Sequence, residues 1–295
     1  MFIDSFIGYL KVERLYSAHT VRSYGRDLLA FKEYVARLDG SLLYWEADVD
    51  VVRSWVASMM DAGAKPSTVC RKLSSLRSFF VYVCANCGVR QNPVARLKGP
   101  KCRKVLPSFV KEEDMDALID DIAFGDGYVA CRDKMILQLF YETGIRLAEL
   151  VALDLSSLDM QACVIKVLGK RNRQRIIPFA AGLKAALERY LCERETFVSA
   201  SCDALFLSSK GGRITPSNVY RMVRSRLVGV TSLKKKSPHV LRHSFATAML
   251  NNNAELGAVK ELLGHRRLAT TEIYTHLSFE DLKCFYDKAH PRAGE

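Results

Sequence analysis

Five of the six histidines in the 295-residue chain fall between His239 and His290, and the densest cluster is Ser237-Pro-His-Val-Leu-Arg-His243. Ser237 suits a helix N-cap and Pro238 the first helical position. His239, Arg242 and His243 then share one face at i, i+3 and i+4. A helix N-terminus carrying a His and an Arg on one face is a ready anion site. The same letters would also serve a capped helix with one buried His and one surface Arg. Leu262-Leu263-Gly264-His265 reads as a helix closing on a glycine C-cap, with His265 just beyond it, where a structural histidine is the plainer reading. Tyr274 follows nine residues later; it is one of twelve tyrosines, and its surroundings alone do not single it out. In Thr143-Gly144-Ile145-Arg146-Leu147-Ala148-Glu149-Leu150, Arg146 stands just after a helix-ending glycine, a place where an isolated Arg is commonly a surface residue.

The charge balance gives these residues a common direction. The net charge is +12, and its distribution says more than its total. From Ala204 to Ala254 there is no Asp or Glu, while Lys210, Arg213, Arg221, Arg224, Arg226, Lys234, Lys235, Lys236 and Arg242 all occur. A second acid-free stretch, Met160 to Leu187, holds Lys166, Lys170, Arg171, Arg173, Arg175 and Lys184. Solvated faces usually mix both signs, so two long acid-free stretches point to a surface held against phosphates. Hydrophobic residues at 49% and charged residues at 26% exclude a disordered chain. The longest apolar run, Phe79 to Ala85, is far short of the roughly 18 residues of a membrane span, so no membrane insertion is expected. Met1-Phe2-Ile3-Asp4 carries no basic segment of the signal-peptide kind. Nine cysteines without regular spacing fit reduced thiols, and the expected location is cytoplasmic. Cys84-Ala-Asn-Cys87 has one ligand pair for zinc, with only Cys102 as a nearby third; two thiols on or just after a buried helix are the plainer reading.

The elements that must position these residues fall into two parts. Residues 1–90 read as helices. Ser17 and Thr20 offer N-caps before Val21, Tyr24, Leu28, Phe31 and Val35, whose 3-4-3-4 steps make one face. Asp48 or Asp50 can cap a helix with Val52, Trp55, Val56 and Met59. Pro66 opens another with Val69, Leu73, Leu76, Phe80 and Val83, ending near Gly88, and its other face carries Arg71, Lys72 and Arg77 as candidate DNA contacts or a solvated face. Residues 91–107, with three prolines and Lys98, Lys101, Arg103 and Lys104, read as an extended basic linker. Helices are expected at Glu112–Ile122, Tyr128–Glu142 and Leu147–Leu153. Ala162–Leu168 and Gln174–Phe179 then read as a hairpin with the basic tip Gly169-Lys170-Arg171-Asn172-Arg173. Helices return at Gly182–Glu193, Pro216–Leu227, Pro238–Asn251, Glu255–Leu263, Thr270–Leu277 and Phe279–Ala289. The fold class is therefore mainly α in two domains: an all-α N-terminal domain (1–90), the linker (91–107) and an α+β domain with a small antiparallel sheet (108–295).

In this order, Arg146, Lys170 at a hairpin tip, His239-x-x-Arg242-His243, Leu263-Gly264-His265 and Tyr274 before Thr275-His276 resemble the catalytic signature of the tyrosine recombinases, the lambda-integrase family, in particular the bacterial XerC/XerD type. The likeness covers nearly the whole chain, and Ser17–Tyr24 is similar to the start of that family's helical core-binding domain. Two details depart from the pattern: Leu147-Ala148 after the arginine, and Gly-Lys-Arg-Asn-Arg-Gln-Arg at the hairpin where Gly-Lys-Gly-x-Lys-x-Arg is common. Neither removes a catalytic side chain. The resemblance implies a C-shaped clamp on duplex DNA, Tyr274 as nucleophile forming a 3′-phosphotyrosyl bond, and Arg146 and Arg242 on the non-bridging oxygens. It further implies His239 as base, Lys170 as general acid and His265 as a hydrogen-bond donor to the scissile phosphate. Arg71, Lys72, Arg77, Arg171 and Arg173 are further candidate DNA contacts.

The chemistry fits on its own terms. Cutting DNA without hydrolysis needs a nucleophile that conserves the phosphodiester bond energy, and a phenol does so. Two guanidiniums and a lysine can neutralise the transition state. No metal or other cofactor is expected, and no carboxylate cluster of the two-metal kind is visible. Arg171, Arg173 and Arg175 leave open that Lys170 is one more phosphate anchor. The implied partners are a specific DNA recombination site, three further protomers of this chain or of a paralogue on two such sites, and a DNA translocase at the division septum. The Phe279–Ala289 segment would then dock on a neighbouring protomer, the plainer alternative being a helix packed on its own domain. The simple two-domain layout favours chromosome-dimer resolution through a Holliday junction. A mobile-element integrase or invertase, a type IB topoisomerase and a DNA-binding regulator remain the alternatives.

Overall fold

The computed structural model describes residues 2–102, 108–121, 124–169, 174–197, 202–264 and 279–293, without the side chains of 121, 279 and 280. The chain divides into two compact units, Met1–Val105 and Leu106–Glu295.

The first unit is built from α1 (Phe2–Val12), α2 (Ala18–Leu38), α3 (Val49–Asp61) and α4 (Pro66–Asn86). The caps expected from the sequence form. The Ser17 hydroxyl accepts from the Thr20 N–H, and Asp48 accepts from the Asp50 and Val51 N–H groups. Each helix buries its apolar stripe: Val21, Leu28, Phe31 and Val35 from α2, Val52, Trp55 and Met59 from α3, and Val69, Leu73, Leu76, Phe80 and Val83 from α4. Asp27 is buried in this core at 4% exposure. A buried carboxylate is costly unless paired, and Arg71 pairs it in a two-point bond, with Ser75 adding a third donor.

The candidate DNA contacts on α4 also have partners within the unit, while Arg71 remains exposed at the surface. Arg71 holds Asp27 and Ser23. The Lys72 ammonium sits 5.6 Å from the centre of the Trp55 ring. Arg77 donates to the carbonyls of Val94 and Leu97. The expected extended linker is also partly core: Val94 is fully buried in this unit and Leu97 packs against it. Cys102 lies 3.6 Å from Cys70, not beside the Cys84–Cys87 pair.

The second unit opens with α5 (Glu112–Asp116), which widens into one π-helical turn at Ala117–Asp121. The long central helix α6 (Tyr128–Thr143) follows, buried along nearly its whole length. The short α7 (Leu147–Ala152) leads into a three-stranded antiparallel sheet in the order β1 (Leu158–Asp159), β2 (Val164–Leu168), β3 (Gln174–Pro178). The sequence reading had only the hairpin; the two-residue β1 is too short to show a period. The helices α8 (Ala181–Phe197), α9 (Pro216–Val228), α10 (Pro238–Asn251) and α11 (Leu256–Leu263) follow. The expected helix at Thr270–Leu277 lies outside the described residues.

The last helix is α12 (Phe279–Ala289). In the single chain it packs on its own domain, the alternative to docking on a neighbouring protomer. Tyr286 and Ala289 are buried with Phe245, Met249, Val259, Leu262 and Leu263 of α10 and α11. His290 stacks on Tyr286 and Phe245, and Arg292 pairs with Asp120 in a two-point bond. An apolar face and an aromatic sandwich already available within the chain make this the seat the segment takes.

Candidate active site

The site forms where four chain segments meet at the C-terminal end of α11. Gly144 ends α6 in the left-handed conformation, φ +57°, as the sequence predicted. The position admits no side chain: a Cβ there would lie 2.5 Å from Phe245 Cδ1 and 2.8 Å from Leu263 Cδ2. The sharp reversal places Arg146 at the N-cap of α7. Glu149, three residues on, reaches back to accept from the Arg146 N–H at 2.9 Å, half of a capping box.

Glu149 is the residue that reading the sequence missed. It is only 5% exposed and accepts from two arginines. Arg146 Nη1 donates to Oε1 at 2.8 Å, while Arg175 Nη1 and Nη2 grip Oε1 and Oε2 at 2.7 and 2.9 Å. Burial alone would raise the Glu149 carboxyl. The hydrogen bonds from Arg175 and from the Arg146 backbone, together with the Arg175 charge, outweigh burial and hold it below the usual carboxylate range. Its spacing from Arg146, i and i+3 across a helix start, was the available signal.

The C-terminal end of α11 gathers the guanidiniums. Three successive carbonyls each accept from a different arginine. Arg175 Nε donates to Leu262 O at 3.1 Å, Arg242 Nη2 to Leu263 O at 2.5 Å, and Arg146 Nη2 to Gly264 O at 2.9 Å. The last carbonyls of a helix are its negative end, so they attract three cations from segments far apart in sequence. Gly264 closes α11 in the left-handed conformation, φ +62°, and lets Arg175 pass 3.2 Å from where a Cβ would stand. Arg242 is 7% exposed and also donates to Gly144 O. Burial first, then the charges of Arg146 and Arg175, push its pKa down to about 10, opposed by Glu149. It stays protonated at neutral pH. Three guanidiniums against one carboxylate leave a positive cluster suited to an oxyanion that gains charge during reaction.

His239 and His243 are both exposed near the start of α10. Burial, then His239 and Arg242, push the His243 pKa down. Ser237 occupies the N-cap position without a side-chain capping bond. Arg221 and Arg224 are exposed on α9, as are Lys234 and Lys235 in the loop before α10. Arg213 is tied to Asp154. Of the expected catalytic set, the structure thus brings Arg146 and Arg242 together at one helix end. Lys170, His265 and Tyr274 lie outside the described residues, as do Arg171 and Arg173. Among the described residues no group of three or more His, Cys, Asp or Glu could hold a metal ion.

Comparisons with known proteins bear on both units. The phage integrase family profile matches residues 108–281, and the profile of the phage integrase N-terminal SAM-like domain matches residues 3–86. A protein of Staphylococcus carnosus named tyrosine recombinase XerC is 40% identical over 293 residues, covering 98% of this chain and 97% of the relative. A Pseudomonas aeruginosa protein of the same name is 39% identical, covering 99% and 95%. Among solved structures, the XerH site-specific recombinase bound to a palindromic difH substrate, a post-cleavage complex, matches with a TM-score of 0.71 at 25% identity, covering 97% of this chain and 84% of that one. A lambda integrase dimer bound to a core site matches with a TM-score of 0.70 at 18% identity, covering 90% and 94%, a likeness of fold.

Proposed function

The chain belongs to the phage integrase family, and on that premise we propose how it works as a tyrosine-type site-specific DNA recombinase. The observation that carries the mechanism is the convergence of Arg146 and Arg242 on the end of α11, immediately before His265. In the proposed reaction the Tyr274 phenol loses its proton to His239 and attacks the scissile phosphorus. The tyrosyl O–P bond forms as the bond to the 5′ oxygen breaks. Lys170 protonates that departing oxygen. Arg146 and Arg242 stabilise the charge on the non-bridging oxygens, and His265 adds a hydrogen bond. The DNA 3′ end stays on Tyr274 until a 5′ hydroxyl from the partner strand attacks and releases the phenol.

The biological setting that fits best is resolution of chromosome dimers through a Holliday junction in the cytoplasm. The chain would act in a tetramer with itself or a paralogue, in concert with a septal DNA translocase. Likeness over nearly full length to proteins named XerC supports this reading.

A suicide duplex, nicked beside the cut so that the released fragment diffuses away, tests the core of it. The parent chain should form a covalent protein–DNA adduct, and Tyr274→Phe should bind the same DNA and form none. An adduct with the Phe variant would move the nucleophile to another tyrosine. Relaxation of a plasmid lacking any recombination site would favour a topoisomerase instead.

A further inference from the structure

The acid-free stretch around the hairpin reads as a row of phosphate anchors, Lys170, Arg171, Arg173 and Arg175. The structure takes Arg175 out of that row. In the sheet register Arg175 faces Val167, and Ile177 faces Ile165. Side chains alternate along a strand, so Arg175 shares the inward face with Ile177, while Gln174 and Ile176 point to solvent. Its side chain is 15% exposed. The guanidinium has two bonds on Glu149 and one on Leu262 O. The first contact is 26 residues away in sequence and the second 87.

We propose that Arg175 is a positioning residue: a three-point strut that fixes Glu149, and through it Arg146, relative to the α11 end from which His265 follows. This rests on the recombinase reading. Glu149 alone cannot set the place of Arg146, because a buried carboxylate held by one partner can pivot about it. The planar guanidinium fork removes that freedom, since two parallel N–H bonds fix both distance and plane. The third donor, Nε, ties the same plane to the Leu262 carbonyl. Strand β3, α7 and α11 are thereby held in one register, and the two proposed phosphate-binding arginines keep a set spacing. Misplacement of a catalytic group by about 1 Å commonly costs on the order of 10²-fold in rate.

The test separates a strut from an anchor. The full chain is assayed with the suicide duplex in single turnover at saturating DNA, alongside its dissociation constant across a salt series. Arg175→Ala and Arg175→Lys are compared with Glu149→Gln and with Arg175→Ala/Glu149→Gln, each checked for thermal unfolding.

Arg175→Ala should lose on the order of 10²-fold in the cleavage rate, with affinity within about twofold of the parent and an unchanged slope of log affinity against log salt. A lost phosphate contact would instead lower that slope by about 0.9. The double variant should be little slower than either single one, because both act through one contact. Arg175→Lys should fold like the parent yet stay slow, since one ammonium cannot span Glu149 and the Leu262 carbonyl together.

A shallower salt slope with the saturated rate intact would make Arg175 an anchor and overturn the proposal. Full rescue by lysine, or multiplying losses in the double variant, would overturn it as well. So would a loss of cleavage no larger than the fraction of chain unfolded. Failure of the parent to form an adduct would strike the recombinase reading itself, and is seen before any variant is compared.

Discussion

A carboxylate surrounded by donors is sensitive to the loss of its charge more than of its shape, and Glu149 accepts four hydrogen bonds from Arg146 and Arg175. Its folded-state pKa lies below the ordinary value of about 4.3. Its stabilising effect is therefore full above that unfolded value and is lost as pH falls through the lower, folded one. Glu149→Gln should cost about 3–5 kcal/mol at pH 7, the usual loss when one partner of a buried ion pair is removed. Chemical denaturation of parent and variant at pH 7 and at pH 3 should show the gap narrowing in acid; a gap that persists unchanged would mean that folding does not lower the pKa of this carboxyl. Sequence pattern alone did not select Glu149, because a Glu at the third position of a helix is first of all a capping residue.

At the scale of elements, the punctuation was the most legible part. Gly144 and Gly264 were read as helix ends, and both adopt the left-handed conformation. The starts of α2 and α3 were read from Ser17 and from Asp48 or Asp50, because capping is local chemistry written in adjacent residues, and that of α10 from Ser237-Pro238, where Pro238 takes the first helical position without a Ser237 capping bond. What escaped is what depends on distant partners. The π turn at Ala117–Asp121 has no local signature. The inward turn of Arg175 was hidden by Ile176 and Ile177 in succession, which leave the phase of the strand undecided. The partners of Arg71 and Arg77 within the unit, Asp27 and the carbonyls of Val94 and Leu97, are far off in sequence and left no local trace.

The two kinds of helix-ending glycine separate by substitution. Gly144→Ala forces both a left-handed alanine, about 1–2 kcal/mol, and an overpacked contact with Phe245 and Leu263, about 1–3 kcal/mol more. Gly88→Ala, at φ +72° with open space around it, incurs only the first. Denaturant midpoints for the two variants should differ accordingly, and equal losses would refute the packing argument at Gly144.

Across the molecule, each unit carries its own apolar core, and the second is closed by its final residues. His290 is 4% exposed; its Nδ1 accepts from the Arg292 N–H, and its ring stacks on Tyr286 and Phe245 and meets Tyr141 edge-on. Burial, with the Arg292 charge adding and the Tyr141 carbonyl opposing, pushes its pKa down to about 4. The unfolded chain, with a value near 6.5, takes up the proton first. Stability is therefore intact above pH 6.5 and drains away between there and pH 4, by about 3 kcal/mol. His290→Phe keeps the stacking and should flatten that part of the melting-temperature profile; an unchanged profile would remove His290 as its source.

The cis seat of α12 has a consequence in mass action. A tethered segment meets its own groove at an effective concentration in the millimolar range. Every other copy of the chain offers the same groove, so trading seats alters almost no contact and leaves the contact energy nearly level. With the contact energy level, the balance turns on local concentration against that millimolar range. Only copies held together at a local concentration above that range would make the exchange competitive.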